Sequence, residues 1–151
     1  MKSIPLLPKG FRIVGVILLL LGLLSGYLYY FAGKPDFFET NIFAFITSYL
    51  ETRYWVEAQT NLLDEMAAIF IVSGLTMLIF SKEKNENDEI KILRLKALVY
   101  ATYFTVIAWI FMFLFIYGWP IFLFSSFIFL IFLIASLIIF KFMKYRNKRL
   151  K

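Results

Sequence analysis

The chain has 151 residues, of which 62% are apolar and 21% aromatic, and a net charge of +6. That apolar share exceeds the usual ~45–50% and is more than a soluble domain of this size can hide. Cysteine and histidine are absent, which excludes disulfides, thiolate chemistry, Cys or His metal sites, histidine acid–base catalysis and a Ser-His triad.

Four hydrophobic runs cover residues 11–31, 62–80, 97–118 and 120–143. A helix rises ~1.5 Å per residue and the hydrocarbon layer is ~30 Å thick, so about 20 residues cross it. Backbone in lipid must satisfy its own hydrogen bonds, which makes the runs helices. The alternating ten-residue segments of a β-barrel do not occur. The expected class is therefore all-α: a four-transmembrane-helix bundle forming a single integral membrane domain, residues 1–151.

The first run follows Lys2, Lys9 and Arg12. Its apolar stretch is longer than the ~7–15 residues of a signal peptide, and it ends in Tyr27, Tyr29, Tyr30 and Phe31 instead of an A-x-A-like site. It reads as a retained span. Gly15, Gly22 and Gly26 lie at i, i+7 and i+11, and Gly22 with Gly26 forms a GxxxG pair. Such spacing lets helices approach closely, here as a contact within the chain in preference to a homodimer face.

Gly33, Lys34, Pro35 and Asp36 form a turn that ends this span. Beyond it, Phe38, Ile42, Phe45, Tyr49 and Val56 recur at helical spacing, with Thr40, Thr47, Glu51 and Ala58 on another face. The pattern predicts an amphipathic helix over about residues 37–58 lying along the outer interface, with Tyr54 and Trp55 near its end. A simple lid and a specific binding element are equally compatible with it.

Asp64 and Glu65 fall at the outer end of the second run, preceded by Glu57, Gln59 and Asn61. Ionisable groups in a span are costly and often functional, so the pair is a candidate ion or proton site. Only two or three apolar residues precede them, so placement among headgroups, favouring a helix N-terminus, is the preferred reading. Ala67, Ser73, Gly74 and Thr76 add a small-residue packing face.

The loop 81–96 is charged. Asn85 and Asn87 are candidate N-caps, and Asp88 and Glu89 suit a helix start, so the third span begins near Asp88 and continues into the membrane. Ala97, Ala101, Thr105 and Ala108 make one stripe of that helix. Gly118, Trp119 and Pro120 separate the last two runs, which must be antiparallel neighbours. Tyr117 and Trp119 fit an interfacial aromatic belt. Very different connections within the two hairpins argue against an inverted-repeat transporter.

With both termini inside, fourteen basic residues lie on the inner side and two, Lys34 and Arg53, outside. The net charge divides into about +10 inside and −4 outside. The positive-inside rule then gives an N-in, C-in protein with an even number of spans. In the tail (residues 144–151 and the turn before it), Lys141, Lys144, Lys148 and Lys151 share one helical face that can contact anionic headgroups or a partner's acidic surface, although ordinary topogenic charge explains it just as well. Basic residues flank spans instead of forming a separate domain, so nucleic acid is not an expected partner.

The stretch Phe80-Ser81-Lys82-Glu83-Lys84-Asn85-Glu86, leading into Leu93-Arg94-Leu95, resembles small four-span inner-membrane proteins of unknown function from AT-rich bacteria. The resemblance implies a topology and no activity. The expected role is non-enzymatic and cofactor-free: an interaction or regulatory subunit of a membrane complex, with a membrane-protein partner or a second copy of itself. The alternative is a small transporter or channel with Asp64 and Glu65 at its outer mouth.

Overall fold

The computed structural model describes residues 5–48, 52–84 and 86–149. Among the described residues, four helices are long and apolar enough to cross a membrane, as the hydrophobic runs predict. They are α1 (Gly10–Tyr30), α2 (Leu63–Phe80), α3 (Asp88–Phe115) and α5 (Ile128–Arg149), with a short α4 (Trp119–Ser126) before the last. Two strands, β1 (Glu39–Ser48) and β2 (Thr52–Asn61), join α1 to α2. By contacts the chain forms two units, one made of Leu18–Ile71 and the other of the residues up to Ile17 together with Val72 onward.

The strands correct the all-α expectation. The segment expected as an outer amphipathic helix, residues 37–58, is an antiparallel hairpin in which Glu39 pairs with Asn61, Ile42 with Ala58 and Ile46 with Tyr54. The reason lies in residue type. Eleven of the twenty strand residues are Thr, Ile, Val or aromatic, and these favour a pleated surface over a helix. The helical spacing of Phe38, Ile42, Phe45 and Val56 was coincidental, since Phe45 and Ile42 lie on opposite faces of β1.

Within the unit Leu18–Ile71, α1 leads into a turn at Gly33 and Lys34, both with positive φ (81° and 54°). A one-turn 3-10 helix over Asp36–Phe38 follows. Asn61 ties the far end of the hairpin back to this turn. Its side chain donates to the Pro35 carbonyl at 3.1 Å and accepts from the Leu63 amide at 3.2 Å, which caps α2. The Leu62 amide adds a bond to the Phe38 carbonyl at 3.0 Å. Gly22 packs against α2 so closely that a Cβ there would lie 2.7 Å from Ile71 Cγ1 and 2.9 Å from its backbone nitrogen. At Gly26 the corresponding nearest atom, Ala67 Cβ, is at an ordinary 3.7 Å.

In the other unit the same device recurs where a Cβ on Gly15 would lie 2.9 Å from the Gly74 carbonyl oxygen. Asn87, one of the two expected caps, accepts from the Ile90 amide at 2.9 Å and starts α3, while Asn85 lies outside the described residues. The helices α3 and α5 pack on each other. Ala97 and Ala101 are buried, as are Leu133, Ser136 and Phe140 of α5. Small side chains on α3 let the larger ones of α5 seat against its backbone.

The fourth run is not one helix. It breaks at Phe127, which separates α4 from α5. Ser126 Oγ donates to the Phe122 carbonyl at 2.9 Å. The Phe127 amide donates to the Phe124 carbonyl at 3.1 Å, the tighter i→i−3 pattern. Serine back-bonding of this kind bends helices.

Candidate functional site

Charged side chains remote in sequence converge on the loop between α2 and α3. The segment before α1 is strapped to this loop: the Leu7 amide donates to the Phe80 carbonyl at 2.9 Å, and the Lys82 amide donates to the Leu7 carbonyl at 3.0 Å. Lys9 Nζ adds a bond to the Lys84 carbonyl at 3.0 Å. These bonds hold the first turn of α1, and Arg12 with it, against the acidic residues of the loop.

Glu83 is the hub. Its Oε1 lies 2.6 Å from the Arg12 guanidinium and its Oε2 accepts from Lys144 Nζ, on α5, at 2.8 Å. Burial alone would push the Glu83 carboxyl up. The hydrogen bonds from Arg12 and Lys144, with their charges, outweigh that and hold it below the usual glutamate value. The Glu83 amide in turn donates to Glu86 Oε2 at 2.7 Å, so one carboxylate orients the backbone that carries the other.

Glu86 faces Arg94 of α3. The pair is 3.0 Å apart, and the two side chains are only 8% and 4% exposed. Arg94 also donates to the Ser81 carbonyl at 2.9 Å and to that of Ile79. These are carbonyls at the C-terminal end of α2, where a cation is favoured by the helix dipole. The guanidinium carbon sits 4.9 Å from the Phe140 ring centroid, a cation–π contact. Arg94 thus joins α2, α3 and α5 through one planar group.

Arg12, Glu83, Lys141, Lys144 and Tyr145 line a pocket of about 230 Å³. Three cations against one carboxylate leave it with two net positive charges. Lys141 makes no ion pair among the described residues. Of the tail lysines expected to share a face, Lys141 and Lys144 therefore meet here. The side chain of Lys148 and the whole of Lys151 lie outside the described residues.

The pair Asp64 and Glu65 sits in the first turn of α2 and is half-buried. Asp64 Oδ1 and Glu65 Oε2 are each shielded from solvent without a hydrogen-bond partner. Among the described residues, no group of three acidic side chains is placed to hold a metal ion. The expected packing glycines divide: Gly15, Gly22 and Gly74 lie at close backbone approaches, and Gly26 does not.

The buried Arg94–Glu86 pair was not singled out by the sequence, where both residues counted only towards topology. A signal was present. Ile90, Arg94, Ala97 and Ala101 follow i, i+4, i+7, i+11, so Arg94 falls in the apolar stripe of its helix.

No family model matches the chain, and neither the curated proteins nor the solved structures yield a match.

Proposed function

We propose that this is a non-enzymatic membrane protein that acts by association, as an interaction or regulatory subunit in a bacterial inner membrane, and that the hairpin is its contact element. One observation carries this reading. Phe43, Phe45 and Trp55 form an aromatic cluster on one hairpin face, with ring centroids 5.0 to 6.0 Å apart, yet they are 57%, 63% and 68% exposed. Trp55 holds this position with φ at 55°, a conformation that is rare for a bulky residue and found mainly where surroundings or function require it. Exposed aromatic clusters on a non-spanning element are what protein interfaces bury.

A photocrosslinking residue placed at Phe45 in cells should give a discrete protein adduct. The same residue at Ile107, a lipid-facing position on a span, should give none. Identical products at both positions, or no protein adduct at Phe45, would overturn the proposal.

A second reading, a small transporter or channel, is favoured by the unpartnered carboxylate oxygens of Asp64 and Glu65. Burial of a carboxylate without a partner is costly, which is the mark of groups that take up an ion or proton. Under this reading, proteoliposomes should show a cation or proton flux that the double change Asp64→Asn, Glu65→Gln abolishes. Under association they show no flux in either form.

A further inference from the structure

We propose that one anionic phospholipid binds at a discrete site on α5, its phosphate in the pocket of Arg12, Lys141 and Lys144 and an acyl chain in the apolar groove between α5 and α3. Two cavities carry the inference. The pocket at the charged end has two net positive charges within about 230 Å³. The second cavity, about 330 Å³, is lined by Phe104, Ile131, Ile134, Ala135, Ile138 and Ile139, every one of them apolar.

The two cavities are consecutive along one helix. Ile134 and Ile138 line the groove, Lys141 and Tyr145 the pocket, so each pair is spaced i, i+4 and the four positions succeed one another along α5. From Ile134 to Lys144 the helix advances about 15 Å, the scale on which a phospholipid passes from phosphate to mid-chain. Both helices are candidate spans, so the groove is a feature of a surface built for hydrocarbon.

The cations are prepared for an anion. Glu83 accepts from Arg12 and Lys144 and so fixes where both point, while its single negative charge cannot neutralise three cations. Lys141 is exposed and has no ion-pair partner among the described residues. It is the group with charge left to give. A phosphodiester supplies one negative charge and acceptor oxygens that Arg and Lys recognise. A free phosphate fits the pocket but leaves the groove unexplained, and a partner helix would fill the groove without using the cations. This inference is independent of whether the hairpin has a protein partner.

The test uses the purified full chain in detergent and native mass spectrometry. Dioleoyl phosphatidylglycerol should be retained at one equivalent in preference to dioleoyl phosphatidylcholine. Lys141→Gln should weaken that retention about fivefold, as expected for one lysine near an anionic lipid surface. Lys141→Arg should preserve it. Ile138→Gln, a change at an exposed groove position, should also weaken it, and glycerol 3-phosphate should not compete. Equal retention of the two lipids, or indifference to Lys141→Gln, would overturn the site. Competition by glycerol 3-phosphate with no effect of Ile138→Gln would show a bare phosphate site and overturn the lipid assignment. None of these outcomes alters the crosslinks expected at Phe45, so failure here and failure of the association reading are separable.

Discussion

Arg12, in the first turn of α1, lies 2.6 Å from Glu83, in the loop that follows α2. Through this contact and that of Lys144 with the same carboxylate, the start of the first helix and the end of the last meet one loop. Because Glu83 is held below its ordinary value near 4.5, its ionised form stabilises the fold above that pH. The contribution is lost as pH falls through the lowered folded value. Thermal melts from pH 7 downward should show wild type losing more stability below about pH 4.5 than Glu83→Gln. The difference at pH 7 should be about 1 kcal/mol, since Arg12 and Lys144 are partly exposed. Parallel pH profiles for the two proteins would contradict this.

Glu86→Ala leaves Arg94 charged, buried and without its carboxylate. Breaking a buried pair in this way costs about 3–5 kcal/mol. The double change Glu86→Leu, Arg94→Met should recover much of the loss, because it removes both charges together. Melting temperatures of the three proteins decide it; a single mutant as stable as wild type would mean that the pair is solvated.

The glycines should separate. Gly22→Ala forces Ile71 and its backbone to move and should cost about 1–3 kcal/mol, the range for overpacking. Gly26→Ala meets only ordinary contact with Ala67 and should be near neutral. No effect at either position would place both glycines on a lipid-facing surface, and an equal loss at both would contradict the looser contact at Gly26.

The charge asymmetry predicts that a reporter active only in the cytoplasm works when fused after Lys151 or near Asn87 and is silent near Thr47. Activity at Thr47 would reverse the orientation.

The spans were legible because their signal is cumulative: about twenty apolar residues in lipid leave a backbone few choices. Residues 37–58 misled because two periodicities competed over a short length. Phe38, Ile42 and Phe45 satisfy a helical template, while the abundance of Thr, Ile, Tyr, Trp and Val favours strands, and pairing between 39–48 and 52–61 decided it. The break at Phe127 went unread because Ser125 and Ser126 are also ordinary span residues. Of the basic pocket, the lysine face was visible and Arg12 was not. Helical spacing reports which side chains share a face, whereas Arg12 reaches Lys144 only through Glu83, a contact between distant segments.

The same network constrains the order in which the protein can be assembled as it is made. Lys144 is 61 residues downstream of Glu83, and the Lys84 carbonyl that Lys9 reaches lies 75 residues downstream of it. During synthesis, Arg12 and Lys9 wait for the second helix to be completed before they find partners, and Glu83 remains half-satisfied until α5 has been made. A chain released before Lys144 therefore carries an acid short of a base at its hub.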